Sequence, residues 1–214
     1  MRALIPFKVD SPKSRLSSVM SVEEREAFAK AMLYDVIDVT MKSDVDVIDV
    51  AVTNMNFQLE LPVNTIYAPY PLDEVVNEYF EKVSHHLPDE GVIVIMSDLP
   101  LITEKNINEI VHSDADVVIA PGREGGTNIL MTRRPDRFKV SYYEMSFLKH
   151  KRIAQELGLS LKVYDSFYAS VDVDRVQDLV EVLIHSNGRA HNYLKSLGFE
   201  LNVSKTETMI VRKR

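Results

Sequence analysis

The sequence predicts an α/β domain built on a mostly parallel central sheet, and three observations carry that prediction. Short apolar runs alternate with segments of helical period, the order expected when each strand is followed by a covering helix. Residues 92–96 form an unbroken apolar run after Gly91, as in a central strand buried on both faces. Pro121, Gly158 and Gly198 fall at the ends of such segments, where turn residues belong.

Residues 3–7 form the first predicted strand. Ser21 opens a helix with a capping box, because Glu24 stands three residues on; Phe28, Met32, Val36 and Val39 then share one face. Strands follow at 45–52 and 64–68. Leu72, Val75, Val76, Tyr79, Phe80 and Val83 have the spacing of a second amphipathic helix. After the central strand come a short helix over 103–112, a strand over 117–120 and an extended segment over 127–132. A helix over 146–157, closed by Gly158, leads to short strands over 161–164 and 168–171 and a helix over 174–185. Residues 1–187 thus read as one domain. The extension 188–214 holds a short helix over 191–197 and two alternating segments, 200–203 and 207–211, expected to cover a sheet edge or to reach the partner in a homodimer.

A chain of 214 residues, 45% hydrophobic, has enough material for one sizeable core. It contains no cysteine, which excludes disulfides, thiolate nucleophiles and sulfur-held zinc. Any metal is then a hard cation held by oxygen. The formal charge of −7 argues against general DNA or RNA binding, which needs a clustered positive surface. No apolar run is long enough to span a membrane and no signal-peptide cleavage site follows the N-terminus, so the expected location is cytoplasmic.

Three Asp-x-Asp pairs compete for function: Asp44/Asp46, Asp114/Asp116 and Asp172/Asp174. In open α/β sheets ligands bind beyond the carboxyl ends of the strands. The first two pairs precede their strands and are read as solvated turn residues. Asp172 and Asp174 follow a predicted strand, and Asp98 follows the central strand, so these three share the functional edge. The reading is a magnesium site for phosphate chemistry, since Mg²⁺ takes one or two carboxylates plus substrate phosphates. The alternative is three separate helix caps.

Phosphates also call for cations. The loop after the first strand carries Lys8, Lys13 and Arg15 with Ser11 and Ser14, without the glycines of a Walker loop. Gly125-Gly126-Thr127-Asn128 is the only double glycine, read as either a ligand-approaching turn or a plain hairpin. His150, between Lys149 and Lys151, reads as a surface histidine, and Arg212-Lys213-Arg214 as a solubilising tail.

Taken together, Ile5-Pro6-Phe7-Lys8, Pro12-Lys13-Ser14-Arg15-Leu16, Asp98-Leu99-Pro100-Leu101, Gly125-Gly126-Thr127-Asn128, Ser146-Phe147 with His150, and Asp172-Val173-Asp174 resemble the 2-phospho-L-lactate guanylyltransferase family of coenzyme F-420 biosynthesis. The resemblance covers roughly residues 1–185. It implies a glycosyltransferase-A-like, Rossmann-type nucleotidyltransferase that moves GMP from GTP to 2-phospho-L-lactate, with phosphoenolpyruvate as acceptor in some relatives. It further implies Mg²⁺ on Asp98, Asp172 and Asp174, triphosphate on Lys8, Lys13 and Arg15, and the acceptor carboxylate near Thr127 and Ser146. Tyr143 and Pro71-Leu72-Asp73 depart from the family pattern. The competing expectations are a related nucleotidyltransferase using a sugar phosphate or molybdopterin precursor, and a non-catalytic nucleotide-binding protein.

Overall fold

The computed structural model describes residues 1–204 and 208–213. In chain order it contains β1 (Arg2–Phe7), a 3-10 turn at Ser14–Leu16, α1 (Val22–Thr40), β2 (Val47–Val52), β3 (Asn64–Tyr67), α2 (Leu72–His86) and β4 (Val92–Ile95). Then follow α3 (Glu104–Val111), β5 (Val117–Pro121), a 3-10 turn at Arg123–Gly125, β6 (Thr127–Thr132), α4 (Ser146–Glu156) and β7 (Leu161–Val163). The chain continues through α5 (Phe167–Ser170), α6 (Asp178–His185), α7 (Arg189–Ser196), β8 (Phe199–Val203) and β9 (Thr208–Arg212).

Seven strands form one sheet in the order β3-β2-β1-β4-β6-β5-β7. All neighbours are parallel except that β6 runs against both β4 and β5. This reversal matters for the site. Thr127 pairs with Pro121 at the end of β5, so the beginning of β6 lies at the edge where the parallel strands finish.

The strands are apolar because they are covered twice. Ala3, Ile5 and Phe7 face a core with Phe28, Met32, Ile107, Leu179 and Leu194, whereas Leu4 packs on the other side with Val76, Phe80 and Ala154. All four residues of β4 have no exposed surface, which accounts for the unbroken apolar run. The capping box at Ser21 and Glu24 forms as the sequence predicts.

Two predicted elements take another form. Residues 168–170 belong not to a strand but to the single-turn helix α5, which ends before Val171 and whose Phe167 and Tyr168 stay exposed beside His185. The helix predicted over 174–185 begins only at Asp178, because the preceding residues form a turn held by that side chain.

Beyond Gly188, α7 packs on α1, and its Ala190 and Leu194 join Phe199 in the larger core. Asp35 of α1 fixes its start by accepting from the backbone N–H groups of Arg189 at 2.6 Å and Ala190 at 2.9 Å. Asp35→Ala removes this cap and is expected to cost about 1–2 kcal/mol, read as a lower Tm. An unchanged Tm would remove the capping role. Arg212 is no solubilising residue. It reaches Glu24 at 2.5 Å, donates to the Val19 and Leu197 carbonyls, and lies over the Phe199 ring. Glu207, where the second predicted segment of the extension starts, and Arg214 lie outside the described residues.

Candidate active site

The loop after β1 turns back on itself at Ser11 and Lys13, both with positive φ, at 48° and 54°. That turn brings the Lys13 Nζ to 2.5 Å from Asp98 Oδ2 and 2.9 Å from Asp174 Oδ1. Arg15 reaches the other oxygen of Asp174 at 3.0 Å. Burial alone would depress the Lys13 ammonium, but Asp98 and Asp174 outweigh it and hold it above its ordinary value. Burial likewise opposes ionisation of Asp174, and Lys13 with Arg15 reverses the balance, keeping the carboxyl below its usual range. The loop after β4 and the 172–174 turn are joined directly, since the Val173 N–H donates to the Asp98 carbonyl at 3.1 Å.

Asp172 is differently placed. It has no ion-pair partner among the described residues; its carboxylate accepts from its own backbone N–H and, over a long 3.4 Å, from the Asn128 amide. Burial, then the nearby charges of Asp98 and Asp174, push its carboxyl above the ordinary range.

A cavity of about 640 Å³ opens beside this cluster. Lys8, Lys13, Asp98 and Asp174 line it together with Thr53, Tyr70 and Tyr143. Its volume is that of a small-molecule or cofactor pocket.

Thr127 and Ser146 meet each other but lie outside that lining. His150, expected on the surface, is fully buried behind them. The Ser141 N–H donates to His150 Nε2 at 2.9 Å, so the neutral ring carries its proton on Nδ1 and donates it to Thr127 Oγ1 at 3.0 Å. Ser146 also donates to Thr127 Oγ1, at 3.2 Å. With both lone pairs of that oxygen filled, the Thr127 hydroxyl proton is left for an outside acceptor. Burial, assisted by the charge of Lys149, depresses His150 to a pKa of about 4. Glu144 and Met145, at φ 53° and 52°, make the tight entry to α4, which Lys149 braces by donating to the Tyr143 carbonyl at 2.7 Å.

The remaining acidic pairs sit at the far edge, as strand direction implies. Asp46 binds the N-terminal ammonium at 2.6 Å, and Asp116 accepts from Ser160.

Three residues near the site were not among the candidates: Asn128, Arg123 and Asp178. Asn128 donates to the Ala169 carbonyl at 3.0 Å as well as to Asp172. A Cβ on Gly122 would stand 2.2 Å from the Asn128 Oδ1. Gly122→Ala is therefore expected to push this amide off Asp172 and lower kcat several-fold, with a lower Tm as well because the buried bond to the Ala169 carbonyl is disturbed. An unaffected kcat would show that Asn128 is free to move without consequence.

A mostly parallel sheet whose carboxyl edge gathers carboxylates and lysine beside a pocket of this size defines a nucleotidyltransferase fold. Solved structures agree. A Desulfovibrio desulfuricans protein provisionally classed as a nucleotide-diphospho-sugar transferase superposes with a TM-score of 0.72 at 17% identity, covering 91% of this chain and 94% of that one. A nucleotidyl transferase from Methanothermobacter gives 0.62 at 12% identity, over 92% and 99%. The sequence matches the family described as "Guanylyl transferase CofC like" over residues 1–214. The 2-phospho-L-lactate guanylyltransferase of Methanoregula boonei is 44% identical, covering 98% of this chain and 94% of its own length. That of Methanocella arvoryzae is 41% identical over 100% and 93%. The chain belongs to the guanylyl transferase CofC-like family and is a nucleotidyltransferase.

Nucleotidyltransferases of this kind generally use a divalent metal. The donor set fits one: Lys13 already marks where Asp98 and Asp174 converge on a cation, and Asp172 is a half-buried carboxyl with no cationic partner among the described residues. Among the described residues, no three such side chains stand close enough to form a cage by themselves. A magnesium ion that shares its shell with substrate phosphate needs no such cage.

Proposed function

We propose that the protein transfers GMP from GTP to 2-phospho-L-lactate, releasing pyrophosphate and forming lactyl-diphospho-guanosine for coenzyme F-420 biosynthesis. One observation carries the reading: Lys13, Asp98 and Asp174 meet at the lining of a nucleotide-sized cavity in a chain that relatives of this named activity match along nearly its whole length.

An oxygen of the acceptor phosphate attacks the α-phosphorus of GTP in line. A new P–O bond forms as the bond to the β-phosphate bridge breaks, and pyrophosphate leaves with the electron pair. The attacking oxygen is already ionised at neutral pH, so no general base is required. Lys8, Lys13 and Arg15 neutralise the triphosphate and the charge that grows on the leaving group. Thr127, aimed by His150 and Ser146, supplies a hydroxyl donor to the acceptor carboxylate. Asp98, Asp172 and Asp174 would hold Mg²⁺, which when bound would supply further charge neutralisation at the phosphates. The same reading makes the chain a cytoplasmic homodimer with residues 188–214 at the contact, supported by the exposed apolar Val203 and Met209 of the hairpin.

The test is pyrophosphate release with each nucleoside triphosphate against phospholactate, phosphoenolpyruvate and a sugar phosphate. GTP with phospholactate is expected to give the highest kcat/KM. A sugar phosphate outperforming both acids would overturn the acceptor, and GTP binding without Mg²⁺-dependent turnover would overturn the activity.

A further inference from the structure

The 172–174 turn owes its shape to a side chain outside it. Asp178, the first residue of α6 and 6% exposed, accepts through Oδ2 from the backbone N–H groups of Asp174 at 2.8 Å and Arg175 at 2.6 Å. Its Oδ1 accepts from Arg123 Nη2 at 2.6 Å. The same Arg123 nitrogen donates to the Asp172 carbonyl at 3.0 Å, a pairing open to it because it carries two hydrogens. Asp98 takes the Val173 N–H between them. From the Asp172 carbonyl to the Arg175 N–H, the backbone of this turn is thus held by Arg123, Asp98 and Asp178. A second pair, Arg175 with Glu124 at 2.8 Å, joins the same two loops at the surface, where exposure leaves it weak.

We infer that the Arg123–Asp178 pair is the positioning element of the divalent-cation site. It rests on the reading of Asp98, Asp172 and Asp174 as metal ligands. Neither member lines the cavity, so both act through other groups. Without Asp178 the N–H groups of Asp174 and Arg175 have lost their acceptor, and the Asp172 carboxylate is well placed to replace it. An aspartate readily accepts from the N–H two residues on, which here is that of Asp174. Such a bond turns the ligand inward, away from the cation. Asp178 keeps Asp172 free by satisfying those donors itself. Arg123 holds Asp178 in place and ties the turn to the loop that leads into Thr127.

The test is titration of the protein with Mn²⁺, followed by the loss of the free-ion EPR signal, for wild type, Asp178→Ala and Arg123→Gln. Thermal melts and steady-state kinetics accompany it. Asp178→Ala, which leaves both N–H groups without their acceptor, is expected to bind Mn²⁺ about 10–100-fold more weakly, with kcat reduced and the KM for GTP unchanged. Arg123→Gln is expected to shift in the same direction by less, and Arg123→Lys to recover part of the loss. The Arg123 side chain is 42% exposed, so Arg123→Gln decides the matter if Asp178→Ala does not fold. A lower Tm with wild-type Mn²⁺ affinity and kcat overturns the inference and leaves Asp178 as a brace of the turn for stability alone. A wild-type protein that takes up no Mn²⁺ overturns the metal reading itself, a result distinct from the first.

Discussion

Asp98→Ala and Asp172→Ala are each expected to lower the rate of pyrophosphate release by on the order of 10³-fold, in proteins that remain folded. The two lose activity for different reasons. Asp98 stands between Lys13 and Asp172, bonded to the first and repelling the second, so its removal deprives the site of the group that orders both. Asp172 has no such bond to lose. Burial and its acidic neighbours disfavour its ionised form, so the native fold carries a penalty that Asp172→Asn relieves. That variant is expected to be at least as stable as wild type near neutral pH while being inactive. Single-turnover pyrophosphate release and thermal unfolding on the same samples provide the check. Near-normal turnover in either alanine variant would remove the central assignment. A sharply lower Tm in Asp172→Asn would remove the claim that its charge opposes folding.

The second large effect is a pH dependence of stability set by His150. Its folded pKa is about 4, against an ordinary value of 6.5. The unfolded chain therefore binds a proton over this interval before the folded one does, and stability falls as pH drops from about 6.5 to about 4. Above that window the histidine is neutral in both states and contributes no slope. Below it both states are protonated and the loss is complete, at about 3 kcal/mol for this group. Urea unfolding between pH 4 and 7 measures the slope. His150→Gln keeps an acceptor for Ser141 and a donor for Thr127 but cannot titrate, so its profile is expected to be flatter by that amount. Parallel profiles for the two proteins would show that the fold does not disfavour the protonated His150.

Much of the sheet is readable before any coordinates, for a physical reason. Residues of β4 are apolar on both faces because both faces are covered, and periodicity records that directly. Strand direction also separates Asp172/Asp174 from Asp44/Asp46 and Asp114/Asp116 without knowledge of tertiary contacts. The misreadings come where local pattern and tertiary placement part. Tyr168-Ala169-Ser170-Val171 is as apolar as a short strand, and four residues are too few for a period to tell strand from helix. His150 sits between two lysines on the helix, yet its own direction is set by Thr127 and by the aromatic rings of Phe138 and Tyr142, which are remote in sequence or on another segment. Arg212 likewise reads as a terminal charge until α1 is folded against it. Asp178 was within reach, because an aspartate directly before Leu179-Val180 marks a helix start. The earlier aspartates drew the start forward to Asp174.

The reversed strand β6 gives the rim two separate territories. Almost everything lining the cavity comes from the segments up to Asp98, with Tyr143 and Asp174 as the additions. The buried hydroxyl pair and its histidine come from β6 and α4, across β4 from the cationic loop. On the proposed reading the side of the cationic loop takes the nucleotide and the β6–α4 side takes the acid, but the two are not independent, because Arg123 and Asn128 of the second side also hold the 172–174 turn. Grafting residues 122–150 between relatives is then expected to move acceptor preference only where Arg123 and Asn128 are kept, with Tyr143 the residue of that stretch that reaches the cavity lining.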